Sequence, residues 1–295
     1  MAFDDPTLGA MDFFRSLRES APDVVTDMFR LISEPAFYIY TPIAIAAWLL
    51  WFRNRRAGDM LMVNLLTSVC LNRFVKYMVA QPRPWVQEGL SYDLSGTHSG
   101  GYSFPSGHVS ASVAGYGTLA LMFRKGWMTA ICLSAIVLIA FSRLYLGVHT
   151  PLDVVGAAVL ATGVICLNGR LLSISERSDS DFRKVSYAYI AVFTVLAIVT
   201  VTVGDGISSN GILGIALFAG YFVGRHIEHL RLRTQVPSFD NGTQFLFVMI
   251  GLMPAGILLL ALPYLFGHSV GYAIAGTFTG LWVSLLYPMV LDRIQ

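Results

Sequence analysis

An all-α, polytopic bundle of transmembrane helices is the fold class this sequence predicts, and three observations predict it. The chain of 295 residues is 55% hydrophobic and only 13% charged, about half the charge with which a soluble domain covers its surface. Its apolar residues gather in long runs, and a run of about 20 helical residues crosses a hydrocarbon core of roughly 30 Å. Strand signals are weak throughout. A soluble globular protein is thereby excluded.

Met1–Glu34 reads as two short amphipathic helices parted by Pro22. Met11, Phe13, Phe14 and Leu17 form one apolar face, and Val24, Val25, Met28, Phe29 and Ile32 form the next. An interfacial segment is expected here, lying on the membrane surface beside the first span and taking no part in chemistry. The segment begins acidic and has no continuous apolar core, so no secretory signal is expected.

About nine spans follow, near Pro35–Phe52, Asp59–Ala80, Val109–Phe123, Trp127–Ser142, Leu152–Leu171, Val185–Val203, Ile207–Val223, Gln244–Leu265 and Ser269–Leu291. They divide into a membrane core over residues 35–204 and additional carboxyl-terminal helices over residues 205–295. Cys70, Cys132 and Cys166 all fall in apolar runs and are expected as small buried residues. Gly220–Gly224 and Gly276–Gly280 have the spacing that lets helices approach closely, and packing within one bundle is the favoured use. Oligomeric state is not legible.

Cations set the orientation. Alternate links collect Arg53, Arg55 and Arg56, then Arg124 and Lys125, then Arg170, Arg177, Arg183 and Lys184, then Arg225, Arg231 and Arg233. The opposite links hold Lys76, Arg83 and Arg143, with Arg73 near a span end. The positive-inside rule makes the first set cytoplasmic. Lys76, Arg83 and Arg143 then face the other side, whether periplasm, cell exterior or organelle lumen, and a bacterial cell membrane is the expected location.

Those three cations lie in the stretch where the ionisable groups concentrate. It reads K-Y-M-V-A-Q-P-R-P at Lys76–Pro84, P-S-G-H at Pro105–His108 and S-R-L-Y-L-G-V-H-T-P-L-D at Ser142–Asp153. Ionisable groups beside a bilayer are costly and mark function by default. Ser106 is placed to cap a helix whose first turn holds Gly107 and His108, and a helix start is a ready anion site. Lys76, Arg83 and Arg143 would supply the charge that a phosphoryl group needs. Snorkelling to the interface is the plainer use of such residues, but this side is otherwise nearly bare of cations. Thr150, Pro151 and Asp153 form an acidic capping pattern, which also lets the Asp153 carboxylate reach the His149 imidazole. A carboxylate partner leaves the other ring nitrogen free to attack, with His108 as the remaining candidate acid.

Taken together, K-x6-R-P, P-S-G-H and S-R-x5-H-x3-D resemble the three signatures of the type 2 phosphatidic acid phosphatase superfamily, with every signature position filled over roughly Pro35–Leu171. The resemblance implies a six-helix phosphatase core and a metal-independent phosphatase that passes through a phosphohistidine and needs no cofactor. It implies His149 as nucleophile, Asp153 as its partner, His108 as acid, and Lys76, Arg83, Ser106, Gly107 and Arg143 as phosphate ligands. Lipid phosphate monoesters or prenyl diphosphates are the expected substrates, presented from the bilayer; no nucleic-acid partner is expected. The alternatives are a sugar-phosphate phosphatase of the glucose-6-phosphatase type and a non-catalytic transporter or lipid-binding protein.

Two further readings complete the chain. The loop Trp85–Phe104 is expected to cover the phosphate cradle with an apolar rim of Trp85, Leu90, Tyr92, Leu94, Tyr102 and Phe104, its charges being Glu88 and Asp93. His226, Glu228 and His229 suggest a metal site, but a solvated cytoplasmic loop among arginines is favoured. His98 and His268 have no evident partners, and the glycosylation pattern at Asn241–Thr243 is discounted because it falls inside.

Overall fold

The computed structural model describes residues 5–87, 101–203 and 209–294. Among the described residues every regular element is helical, as the apolar runs and weak strand signals predict. Five helical stretches among the described residues are long and apolar enough to cross a bilayer: Asp23–Arg53, Gly126–Tyr145, Pro151–Ser175, Asn241–Phe266 and His268–Ile294. The second expected span is the helix Arg55–Val79. Its Asn64, Ser68, Asn72 and Lys76 recur every four positions and are all buried, so one polar stripe runs along its inner face. The third is shorter, running Gly107–Ser112, through a π-type turn at Val113–Gly117, to Thr118–Phe123. Glu88, Leu90, Tyr92, Asp93 and Leu94 of the expected covering loop, His98, and the expected boundary between residues 204 and 205 lie outside the described residues.

The chain divides into two compact units. The first comprises Met1–Pro42 and Leu71–Ile165. One of its cores joins Val109 and Val113 to Ala157, Ala161 and Ile165, with Ile136 and Ala140 beside them. Four-residue spacings on both helices bring these groups onto facing stripes. A second core sets Phe29 against Tyr145, Leu146 and Val148, with Leu17, Val25, Ile32 and Trp85 around it. The amino-terminal helices Met11–Ser20 and Asp23–Ile32 are as expected, but their apolar residues serve two sides. Leu17, Val25, Phe29 and Ile32 pack inward, while Phe13, Val24 and Met28 are exposed.

The second unit comprises Ile43–Cys70 and Cys166–Gln295. Its tightest packing uses the predicted glycines within the chain itself. A Cβ on Gly220 would fall 2.2 Å from the Thr277 carbonyl oxygen, and one on Gly280 would fall 2.4 Å from that of Leu217. Only hydrogen at these positions lets the helices Ser209–Ile227 and His268–Leu281 touch along their backbones. The cysteines need one correction. All three are free thiols, but Cys166 is exposed while Cys70 and Cys132 are buried, because an apolar run in a span supplies lipid-facing as well as core-facing positions.

Candidate active site

The cations of the first motif are fixed by backbone oxygen. The helix Arg55–Val79 ends where Ala80 turns left-handed at φ 52°, and Pro82 and Pro84 stiffen the exit. Lys76 Nζ donates to the carbonyls of Tyr102 at 2.8 Å and Ser103 at 3.0 Å. Arg83 Nε donates to the Gly101 carbonyl at 3.1 Å, and its Nη1 donates to the Val148 carbonyl at 2.9 Å. Both side chains are buried. Neither snorkels.

The second motif is held against the third. The Ser106 amide donates to the Asp153 carbonyl at 3.1 Å, and Asn72 Nδ2 donates to the Pro105 carbonyl and to Ser110 Oγ. The Phe104 ring lies so close over Gly156 that a Cβ there would come within 2.4 Å of it. The helix begins at Gly107 with Ser106 in the cap position, as expected. The Ser106 hydroxyl makes no capping bond, and it is buried without a hydrogen-bond partner. First-turn amides have no intrahelical acceptor, so hydroxyl and amides together suit an anion. His108 Nε2 lies 3.1 Å from the Ser33 carbonyl, and its ring stands 4.1 Å from that of Tyr38.

The third motif follows the helix Gly126–Tyr145, which carries Arg143 in its last turn at 1% exposure. Gly147 adopts φ +73°, which turns the chain, and Val148 N closes the turn on the Arg143 carbonyl. His149 follows, 2% exposed, and then Thr150, Pro151 and the helix Pro151–Ser175. The reciprocal cap forms: Thr150 N donates to Asp153 Oδ2 at 2.8 Å, and Asp153 N donates to Thr150 Oγ1 at 3.3 Å. The same Oδ2 lies 3.3 Å from His149 Nδ1 and accepts from Ser103 Oγ. Capping and imidazole pairing therefore coexist in one carboxylate.

This geometry selects a tautomer. A carboxylate at Nδ1 places the proton there and leaves the Nε2 lone pair outward. That lone pair meets Arg83 Nη1 at 2.9 Å. Burial, then Arg83, Lys76 and Arg143, hold the His149 imidazole well below its ordinary pKa of 6.5, so it is neutral and nucleophilic at neutral pH. A phosphate bound beside Nε2 would draw Arg83 to its oxygens and release that nitrogen. The arrangement can bind a phosphoryl group and attack it.

Several contributors escaped sequence reasoning. Asn72 had a legible signal, since it stands four residues before Lys76 on the polar stripe. Ser103 had none, being one small residue in a Gly/Ser-rich loop. The amino-terminal segment, expected to take no part in chemistry, supplies the Ser33 carbonyl to His108. Arg18 Nη1 also donates to the Tyr145 carbonyl at 3.0 Å, and Asp5 accepts from Thr150 Oγ1 at 2.5 Å.

The His226–His229 region also differs from expectation. Among the described residues no group of histidine, cysteine, aspartate and glutamate is arranged to hold a metal ion. Glu228 is not solvated: it is 2% exposed and paired with both Arg55 and Arg225. Arg225 grips Asp59 with Nε at 2.7 Å and Nη2 at 2.5 Å, and Tyr221 OH donates to the same carboxylate at 2.6 Å. These groups line a cavity of about 470 Å³ within the second unit. Loop composition hid this, because the partner Arg55 lies 173 residues away in sequence.

Known proteins share the first of these clusters' sequence region. Residues 59–177 match the model of the PAP2 superfamily. An undecaprenyl-diphosphatase of Sulfolobus acidocaldarius is 32% identical over half of this chain and 68% of its own length. A putative undecaprenyl-diphosphatase of Escherichia coli, YbjG, is 29% identical over 53% of this chain and 79% of its own. A lipid A 4'-phosphatase of Bacteroides thetaiotaomicron is 32% identical over 34% of this chain and 46% of its own. No solved structure matches.

Proposed function

Because the chain belongs to the PAP2 superfamily, we propose that it is a membrane phosphatase that cleaves lipid-anchored phosphate through a phosphohistidine on His149. One observation carries the reading. Three buried cations, Lys76, Arg83 and Arg143, act on a neutral imidazole whose Nδ1 faces the Asp153 carboxylate, and the hydroxyl of Ser106, whose amide donates to the Asp153 carbonyl, is without a hydrogen-bond partner. Such a set suits a dianionic phosphoryl group.

In the first step His149 Nε2 attacks phosphorus, the bond from phosphorus to the leaving oxygen breaks, and His108, entering as the imidazolium, gives that oxygen a proton and becomes neutral. Asp153 stabilises the charge that develops on the imidazole. In the second step water attacks the phosphohistidine, His108 takes its proton, the N–P bond breaks and inorganic phosphate leaves. Lys76, Arg83, Arg143 and the first-turn amides hold the equatorial oxygens while charge spreads over them. No metal-bound water is required.

Within lipid phosphates, prenyl diphosphates are the favoured class, since relatives over half of this chain bear undecaprenyl-diphosphatase names. The site opens on the extracytoplasmic face, by the loop cations. The test is phosphate release by purified protein from undecaprenyl diphosphate, a long-chain phosphatidate and glucose 6-phosphate, in excess chelator, with and without vanadate. Turnover of the lipids, blocked by vanadate and lost in His149→Ala, is expected. Loss of all turnover in chelator, restored by Mg²⁺, would reject the mechanism. Equal cleavage of glucose 6-phosphate would reject the substrate class. For the face, cysteines at Val86 and Ser178 in a cysteine-free background should be labelled by an impermeant reagent in intact cells at Val86 alone.

A further inference from the structure

We propose that Tyr38 is a positioning residue for this reaction, and that the amino-terminal segment through Tyr38 is part of the catalytic apparatus rather than a surface anchor. The inference rests on the reading of His108 as the acid.

His108 takes its orientation from two groups of this segment. A carbonyl only accepts, so the contact of His108 Nε2 with the Ser33 carbonyl at 3.1 Å puts a proton on Nε2. Nδ1 is then the nitrogen that carries the second proton of the imidazolium and gives it to the leaving oxygen. The Tyr38 ring, 4.1 Å away and tilted by 38°, fixes the plane in which Nδ1 points. Without that ring the imidazole keeps one hydrogen bond and can swing about it.

Ser33 is itself held firmly. Its amide donates to the carbonyls of Phe29 at 3.1 Å and Arg30 at 3.0 Å, closing the helix Asp23–Ile32. Its hydroxyl lies 3.0 Å from that of Ser142, the neighbour of Arg143. The same helix is tied to the third motif by Thr26 Oγ1 against Tyr145 OH at 3.0 Å and by the Phe29 ring 4.5 Å from that of Tyr145. One continuous set of contacts thus runs from the helix that carries Arg143, through Ser33, to His108. General acid catalysis depends on placing the proton within hydrogen-bond reach of the departing oxygen. A ring that fixes this placement acts on the proton transfer and not on phosphate binding.

The experiment compares two substrates that differ in their need for an acid. An alkyl phosphate leaves as a strongly basic alkoxide, whereas p-nitrophenyl phosphate leaves as a stable aryl oxide. Tyr38→Ala should lower kcat on a long-chain alkyl phosphate about tenfold while changing kcat on p-nitrophenyl phosphate less than about twofold. Tyr38→Phe, which keeps the ring, should behave as the unaltered protein. Tyr38→Leu, which keeps the volume without the ring face, should repeat the alanine result, and it carries the test if the alanine variant does not fold. A loss that is equal on both substrates, or absent from both, overturns the proposal. His108→Ala is the reference: a leaving-group split there, without one at Tyr38, rejects the positioning role alone. No split at His108 rejects the reading of the acid itself.

Discussion

Around His149, the cations Lys76, Arg83 and Arg143 are buried with Asp153 as the carboxylate among them, and the heads of Lys76 and Arg83 rest on main-chain carbonyls. Around Arg225, two guanidiniums, Arg55 and Arg225, meet two carboxylates, Asp59 and Glu228. Both clusters bury charge, which costs several kcal/mol per ion unless a partner offsets it. The second is matched within the chain. The first keeps two buried polar atoms, the Ser106 hydroxyl and Asp153 Oδ1, without hydrogen-bond partners. A cluster whose charges are matched within the chain is structural; one that keeps buried polar atoms without partners is suited to a ligand.

The largest effects should separate the two clusters outright. His149→Ala should reduce turnover to background, a loss on the order of 10⁶-fold as for removal of a protease nucleophile, with thermal unfolding in detergent little changed. Retained turnover would break the comparison at its centre. Glu228→Ala should do the opposite. It leaves the buried Arg225 and the part-buried Arg55 without that anion, which destabilises by about 3–5 kcal/mol, while kcat/KM per folded molecule stays near that of the unaltered protein. A catalytic defect without a stability defect would mean that the matched cluster is not merely structural.

Arg83→Lys comes next. The charge is kept, but the fork that spans the Gly101 and Val148 carbonyls and faces His149 is lost. Losing one donor to the transition state costs about 10²–10³ in kcat. Phosphate release on a lipid phosphate measures it, and a change below about threefold would return Arg83 to a structural role. As a control, the exposed Arg56–Glu176 pair should contribute less than about 1 kcal/mol to stability when either residue is removed.

The same contrast explains what was legible in the sequence. The helices and the first cluster were readable, because hydropathy marks spans and because the chemistry demands fixed residue types at short spacings. Thr150, Pro151 and Asp153 announced a helix start, and the small-residue pairs at Gly220 and Gly276 announced close helix contact. The second cluster was misread because Arg55, Asp59, Arg225 and Glu228 look like ordinary loop and helix-end charges until folding pairs them across the chain. Ser33 was unreadable for a deeper reason. It contributes a main-chain carbonyl, which every residue has.

The smallest expected effect is a pH dependence of stability that belongs to the His149 cluster. Burial and three neighbouring cations depress the folded pKa of His149 well below 6.5. Between that depressed value and 6.5 the unfolded chain binds a proton at this residue and the folded chain does not, so stability rises with pH across the window. It is fully present above 6.5 and is lost as pH falls toward the folded value, by at most about 1.4 kcal/mol per pH unit. His149→Gln should remove this contribution, and the difference between the two proteins in unfolding midpoint, followed from pH 7.5 to 5, isolates it from every other titrating group. Bound phosphate or vanadate should also shrink the slope, since an anion beside Nε2 offsets the cations that keep the imidazole neutral. A slope unchanged by both the substitution and the anion would mean that the cations around His149 do not act on it.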